Sequence, residues 1–261
     1  MNAPAGAYSD TGGSWEQGPA RVYDRLSTVL IDHSPVPLDG GRVLDVGAGT
    51  GAASRAALAA GAARAVAVDA ALGMLAHHAT ARPPAVVGDA LALPFARSSF
   101  DATVAAFSLN HLTSPAAGLR EMVRVTRSGG AILAASYAWD DTHPVKEAVK
   151  DALAASGWAP EPWFTSLGVD ALPLLATTER FAAVARDAGL GAKVEAVRVP
   201  FPELDARDLV AWRLGLAQHA PFVARLPPLK HDALVVDALA LLGDQFPQLV
   251  RSVVLLSAVK P

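Results

Sequence analysis

One stretch constrains this chain more than any other: Val43, Leu44, Asp45, Val46, Gly47, Ala48, Gly49, Thr50, Gly51, Ala52. A short apolar run reads as a buried strand. The glycines at 47, 49 and 51 read as a turn too tight for side chains, and the alanine-rich stretch beyond them as a helix. Strand, turn and helix in that order open a parallel sheet with crossover helices. A bare glycine turn also lets backbone approach a ligand closely.

The following segments continue the pattern. Strands are expected at 43–45, 65–69, 85–88, 102–107 and 131–137, with helices at 52–60, 72–78 and 115–126, the last stopped by Gly129 and Gly130. Upstream, a helix over 19–31 opens on Pro19. Downstream, 140–176 loosens, with Pro144, Pro160, Pro162 and Pro173, before a helix at 178–188 and strands at 193–199 and 252–259. Roughly fifty residues separate those two strands, with helical segments at 205–218 and 230–242, and a connection that long inside a sheet reads as a lid or cap. The fold expected is α/β: a doubly wound, mostly parallel, seven-stranded Rossmann-like sheet with a helical cap. It is read as a single domain over 1–261, with a helical arm (1–40), a ligand-binding core (41–138) and cap insertions (139–178 and 200–248). All five tryptophans (Trp15, Trp139, Trp158, Trp163 and Trp212) fall outside the core, as the lining of an apolar substrate chamber or as packing of the cap.

Composition removes other classes. With 261 residues, 52% hydrophobic and 18% charged, the chain can build one full core and is not of the disordered kind. Arg64 and Asp69 typify the charges that interrupt its apolar runs, so no transmembrane helix is expected, and residues 1–14 lack the basic and apolar regions of a signal peptide. A cytoplasmic location is expected. The absence of cysteine excludes disulfides, thiolate zinc and a cysteine nucleophile, and a net charge of −3 argues against a nucleic-acid partner. The partner expected is a small molecule.

Three acids refine the glycine loop, which by itself also satisfies the relaxed dinucleotide fingerprint through Gly47, Gly49 and Ala52. Asp45 precedes the turn, where a carboxylate repels a pyrophosphate and favours a cationic ligand held through water or backbone amides. Asp69 ends the second strand, placed to accept hydrogen bonds from the ribose hydroxyls of a dinucleotide or of another ribose-bearing ligand. Asp89 followed by Ala90 suits the amino group and ring nitrogen of an adenine.

With these pieces the chain resembles the class I S-adenosylmethionine-dependent methyltransferases, in particular the group of ubiquinone, menaquinone and small-molecule methyltransferases. The matching motifs are Leu44 to Gly51; Val68-Asp69 with Met74-Leu75; Gly88-Asp89-Ala90 with Leu93-Pro94-Phe95; Ser99-Phe100-Asp101 leading into Phe107 to Leu112; and Glu121 to Gly130. The resemblance implies S-adenosylmethionine as cofactor. It places Gly47, Ala48 and Gly49 around the methionine part, Asp69 on the ribose and Met74 on the adenine face. Asp89 and Ala90 take the adenine edge, with Phe107 and Ser108 near the sulfonium; Asp45 and Ala70 complete the set. It implies methyl transfer to O, N or C of a small, partly apolar metabolite. The rivals are an NAD-dependent oxidoreductase and a non-methylating protein, such as a cyclase, that keeps the cofactor as structure.

Methyl transfer from a sulfonium is an in-line displacement from an activated leaving group, so a base is needed only where the acceptor must lose a proton. His111, after the fourth strand, is the first candidate; His143, beyond the fifth, and His219, on a helical face with Trp212 and Leu216, are the others. His33, His77, His78 and His231 read as solvated. Trp15, Arg21 and Tyr23 are candidates to close over the cofactor, although a hydrophobic staple gives the same aromatic pattern. Residues 107–114 hold no acid cluster, so no metal is expected.

Overall fold

Strand β1 (Arg42–Val46) is buried at four of its five positions, as a strand covered by helices on both faces must be. Around it a computed structural model, describing residues 5–9, 11–77 and 83–261, assembles seven strands. The others are β2 (Arg64–Asp69), β3 (Ala85–Val87), β4 (Phe100–Ala106), β5 (Thr126–Tyr137), β6 (Lys193–Phe201) and β7 (Leu249–Val259). Their order is β3-β2-β1-β4-β5-β7-β6, and only β7 runs against its neighbours.

Alternation along the strands divides the core. Val43, Val104, Leu133 and Leu255 face one side, Leu44, Ile132, Val254 and Leu256 the other. The first face is covered by helices Pro19–Asp32, Ala52–Ala59, Pro144–Ala155, Ala206–Leu214 and Pro228–Leu242. The second carries helices Pro115–Val125 and Thr178–Asp187.

Three local expectations are corrected. The helix expected at 115–126 ends at Val125, and the chain enters β5 directly, with Gly129 and Gly130 inside that strand; the Thr126 hydroxyl donates to Met122 O and closes the helix. The loosened stretch contains helices Pro144–Ala155 and Pro162–Asp170, each opened by its proline, where the missing N–H has no intrahelical partner to lose. The helix expected at 205–218 stops at Leu214, and at Gly215, where a side chain would lie 2.5 Å from Ser14 O and 2.6 Å from Pro19, the chain comes close to the arm. That close approach seats the arm, whose helices Ala5–Ser9 and Gly12–Gln17 were not expected, against Ala206–Leu214. Among the described residues no helix is long and apolar enough to cross a membrane.

Candidate functional site

The chain leaves β1 and β4, which lie side by side, in opposite directions across the sheet, so a crevice opens at their carboxyl ends. The glycine turn sits there. Gly47 and Ala48 donate their N–H groups to Val68 O at 2.8 and 3.1 Å, folding the turn over the neighbouring strand. Gly47 has φ +68°, and an added Cβ would lie 2.2 Å from Ser108 Cβ, so the backbone is bare on conformational and steric grounds alike. Ser108 holds its side of this contact by donating to Val46 O at 2.6 Å.

Asp45 is 1% exposed, and its Oδ2 accepts from Ser54 N (2.8 Å) and Ser54 Oγ (2.7 Å), tying the first helix turn to the strand. Burial pushes its carboxyl up to about 6, against the two bonds from Ser54. Asp69 accepts from Gly49 N at 2.7 Å and Ala71 N at 2.8 Å, so one carboxylate organises both loops. Asp89 is exposed and accepts from Leu91 N at 2.8 Å, an Asx turn. Behind it, Leu93 N donates to Glu121 at 2.7 Å, while Arg124 donates to the carbonyls of Leu93 and Phe95 at 2.8 and 2.7 Å. Met74 is buried between the arm and the glycine turn, with Thr11 Oγ1 3.5 Å from its sulfur.

These groups converge on one cavity of about 800 Å³, within the range of roughly 300–1,000 Å³ usual for small-ligand sites. Asp45, Gly47, Ala48, Gly49, Asp69, Ala70, Met74, Asp89, Ala90, Phe107 and Ser108 all line it. Phe107 is held in the left-handed region, at φ +60°, stacked on Tyr137 (4.6 Å between centroids) and edge-on to Tyr23 (5.6 Å). A non-glycine residue kept there by its packing marks a built site.

The three histidines separate. His111 lines the cavity, its Nδ1 3.4 Å from the Tyr8 hydroxyl, and burial lowers its pKa to about 4. His143 does not line it: the ring caps helix Pro144–Ala155, accepting from Val145 N at 3.2 Å and, through Nε2, donating to Pro247 O at 2.8 Å. His219 also lies outside the lining, Nδ1 donating to Arg213 O at 2.7 Å and the ring edge-on to Trp158. Both ring nitrogens of His143 and Nδ1 of His219 are thus committed to backbone. His33 bonds Val29 O, His231 is half-buried beside Asp232, His77 packs beside Gly12 instead of lying in solvent, and His78 falls outside the described residues. Trp15 and Tyr23 line the cavity from the arm, whereas Arg21 pairs with Asp208 on its outer side. Of the tryptophans, Trp139 and Trp212 also line it.

Sequence reasoning missed a charged group on the β5 and β7 side. Arg251 is 3% exposed and donates through Nε and Nη2 to Asp141 at 2.9 and 2.8 Å; Lys146 reaches the same carboxylate at 2.7 Å. Burial would raise the Asp141 pKa, but Arg251 and Lys146 outweigh it and hold the group down to about 2. The signal was one arginine in the apolar run from Leu249 to Leu256.

Residues 44–134, about a third of the chain, match the family model described as a methyltransferase domain, and over this segment the chain is similar to S-adenosylmethionine-dependent methyltransferases. Among particular relatives, it is 41% identical over 135 residues to the demethylmenaquinone methyltransferase of Mycolicibacterium gilvum (strain PYR-GCK), covering 46% of this chain and 57% of that protein. The match thus spans a little over half of that relative's length. Two solved structures share the fold. The cyclase SpnF has a TM-score of 0.57 and 22% identity, over 91% of this chain and 80% of that one. A phosphoethanolamine N-methyltransferase of Haemonchus contortus, solved with phosphomonomethylethanolamine and S-adenosylhomocysteine, has 0.53 and 19%, over 91% and 52%.

Proposed function

We propose that this protein transfers a methyl group from S-adenosylmethionine to O, N or C of a small, partly apolar metabolite. The observation that carries the reading is the convergence of the glycine turn, Asp69 and Asp89 on one cavity that aromatic rings close from the other side. The bare backbone at Gly47 and Gly49 accommodates the methionine part, Asp69 and Ala70 the ribose, and Asp89 and Ala90 the adenine edge, with Met74 against the ring. Asp45 and Asp69 supply negative charge that favours a cationic ligand over a pyrophosphate, which speaks against NAD. When bound, S-adenosylmethionine supplies an activated methyl on a sulfonium. Phe107, Tyr23 and Tyr137 exclude water and orient the acceptor.

His111 is the candidate catalytic side chain. Its lowered pKa keeps the imidazole neutral above about pH 5, so it accepts a hydrogen bond from an acceptor hydroxyl or amine and aligns it. The same burial that keeps it neutral penalises the imidazolium, so the residue serves to align the acceptor and not to store a proton. The arm over 1–40, the core over 41–138 and the insertions over 139–178 and 200–248 act as one unit in this reading, located in the cytosol.

Mass spectrometry of candidate acceptors incubated with methyl-labelled cofactor tests the proposal: labelled product is expected, with His111→Ala slowing turnover more than it weakens cofactor binding. Bound cofactor without label transfer would favour a cyclase-like catalyst instead, as the name of the fold neighbour, the cyclase SpnF, suggests.

A further inference from the structure

The cavity wall away from the glycine turn carries more positive charge than it pairs. Arg251, Lys146 and Arg213 all line the cavity there, and Asp141 is the carboxylate that Arg251 and Lys146 share. Arg251 spends Nε and Nη2 on Asp141, but its buried Nη1 has no partner. Arg213 Nε is buried without a partner, and no ion pair of this guanidinium occurs among the described residues. Both arginines are pinned by packing: their guanidinium carbons lie 5.3 Å (Arg213) and 4.6 Å (Arg251) from the Trp212 ring centroid, and Arg251 lies 4.2 Å from that of Tyr137. Burial and the neighbouring Arg251 charge pull the Arg213 pKa down to about 10, as a cation lacking its counter-ion requires.

A buried guanidinium nitrogen without a partner, as at Arg213 Nε and Arg251 Nη1, is unfavourable unless something supplies the missing acceptor. Guanidinium forks match carboxylates in plane, and the rings of Phe107, Tyr23, Tyr137 and Trp212 around them suit a flat apolar body. The sheet order separates this wall from the glycine turn: β7 lies three strand spacings, about 14 Å, from β1.

We propose that Arg213 and Arg251 form a docking site for the carboxylate of a planar, apolar acceptor, whose ring system lies among Phe107, Tyr23, Tyr137 and Trp212. This rests on the methyltransferase reading and narrows the acceptor to an acid. The methionine end of the cofactor also carries a carboxylate, so the test separates the two sources.

S-adenosylhomocysteine is titrated calorimetrically into the protein, then 1-naphthoate or 1-naphthamide into the loaded complex. One charged hydrogen-bonded pair corresponds to a preference of about tenfold or more for naphthoate over naphthamide. Arg213→Met is expected to reduce it to within about twofold with S-adenosylhomocysteine still bound, which also shows that the variant is folded, and Arg213→Lys to restore part of it. No preference in the parent protein, or a preference that survives Arg213→Met, overturns the proposal. A loss of S-adenosylhomocysteine affinity in Arg213→Met with naphthoate binding unchanged assigns the arginines to the cofactor and overturns it too. If S-adenosylhomocysteine fails to bind the parent protein, the methyltransferase reading falls; the naphthoate titration of free protein then still decides whether the arginines hold a carboxylate.

Discussion

Replacing Gly47 by alanine tests whether the turn is bare for the reasons given. At φ +68° an L-residue pays roughly 1–2 kcal/mol over glycine. The new methyl also lies 2.2 Å from Ser108 Cβ and 2.7 Å from Ser108 Oγ, so Ser108 must move, and forced overpacking of this kind costs roughly 1–3 kcal/mol. Together about 3 kcal/mol is expected, or roughly 6–12 °C in Tm for a domain of this size. Ser108→Gly alone loses the hydrogen bond to Val46 O, worth about 1 kcal/mol. In the double variant the collision is gone and only the dihedral penalty and that bond remain, so the pair is less destabilised than the sum of the singles by about 1–3 kcal/mol. Urea melts of the four proteins, followed by tryptophan fluorescence, measure this coupling. Simple additivity would refute the steric argument, and a Gly47→Ala protein as stable as its parent would refute both parts.

Two further predictions concern buried charge. The folded state holds the Asp45 proton more tightly than the unfolded state, at about 6 against 3.8, so stability falls as pH rises through that window and stays lowered above it. Asp45→Asn, whose amide oxygen still accepts from Ser54, is expected to gain roughly 1–3 kcal/mol at pH 8 and almost nothing at pH 4 while weakening cofactor binding; equal stability in urea at pH 8 would contradict this. Arg251→Met leaves Asp141 buried with Lys146 alone and is expected to cost about 3–5 kcal/mol. In the parent protein the Asp141 contribution is present above about pH 4 and is lost as pH falls toward 2, so the acid limb of the stability profile should shift upward in the variant, as acid titration of circular dichroism would show.

The sheet was legible because parallel strands buried on both faces leave continuous apolar runs, such as Val43 to Val46, and each observed strand contains or nearly coincides with the expected one. Helices Pro144–Ala155 and Pro162–Asp170 were hidden by the prolines that open them, although the same signal at Pro19 was read as a start. The side chains around the cavity were legible where chemistry and spacing coincide, as at Asp69 and Asp89. His143 and His219 showed the limit of that reasoning: each sits at a plausible place in the chain, and only three dimensions reveal that Pro247 O and Arg213 O have taken their ring nitrogens. Arg213 and Tyr8 reach the cavity through the packing of a helix and an arm, which no periodicity encodes.

Calorimetric titration of the purified protein with S-adenosylhomocysteine tests the central claim most directly. The account predicts stoichiometric binding to the parent protein. Asp69→Ala, which removes the acceptor for Gly49 N and Ala71 N together with the expected ribose contacts, should weaken it by at least tenfold. No heat of binding from either S-adenosylhomocysteine or S-adenosylmethionine would contradict the account.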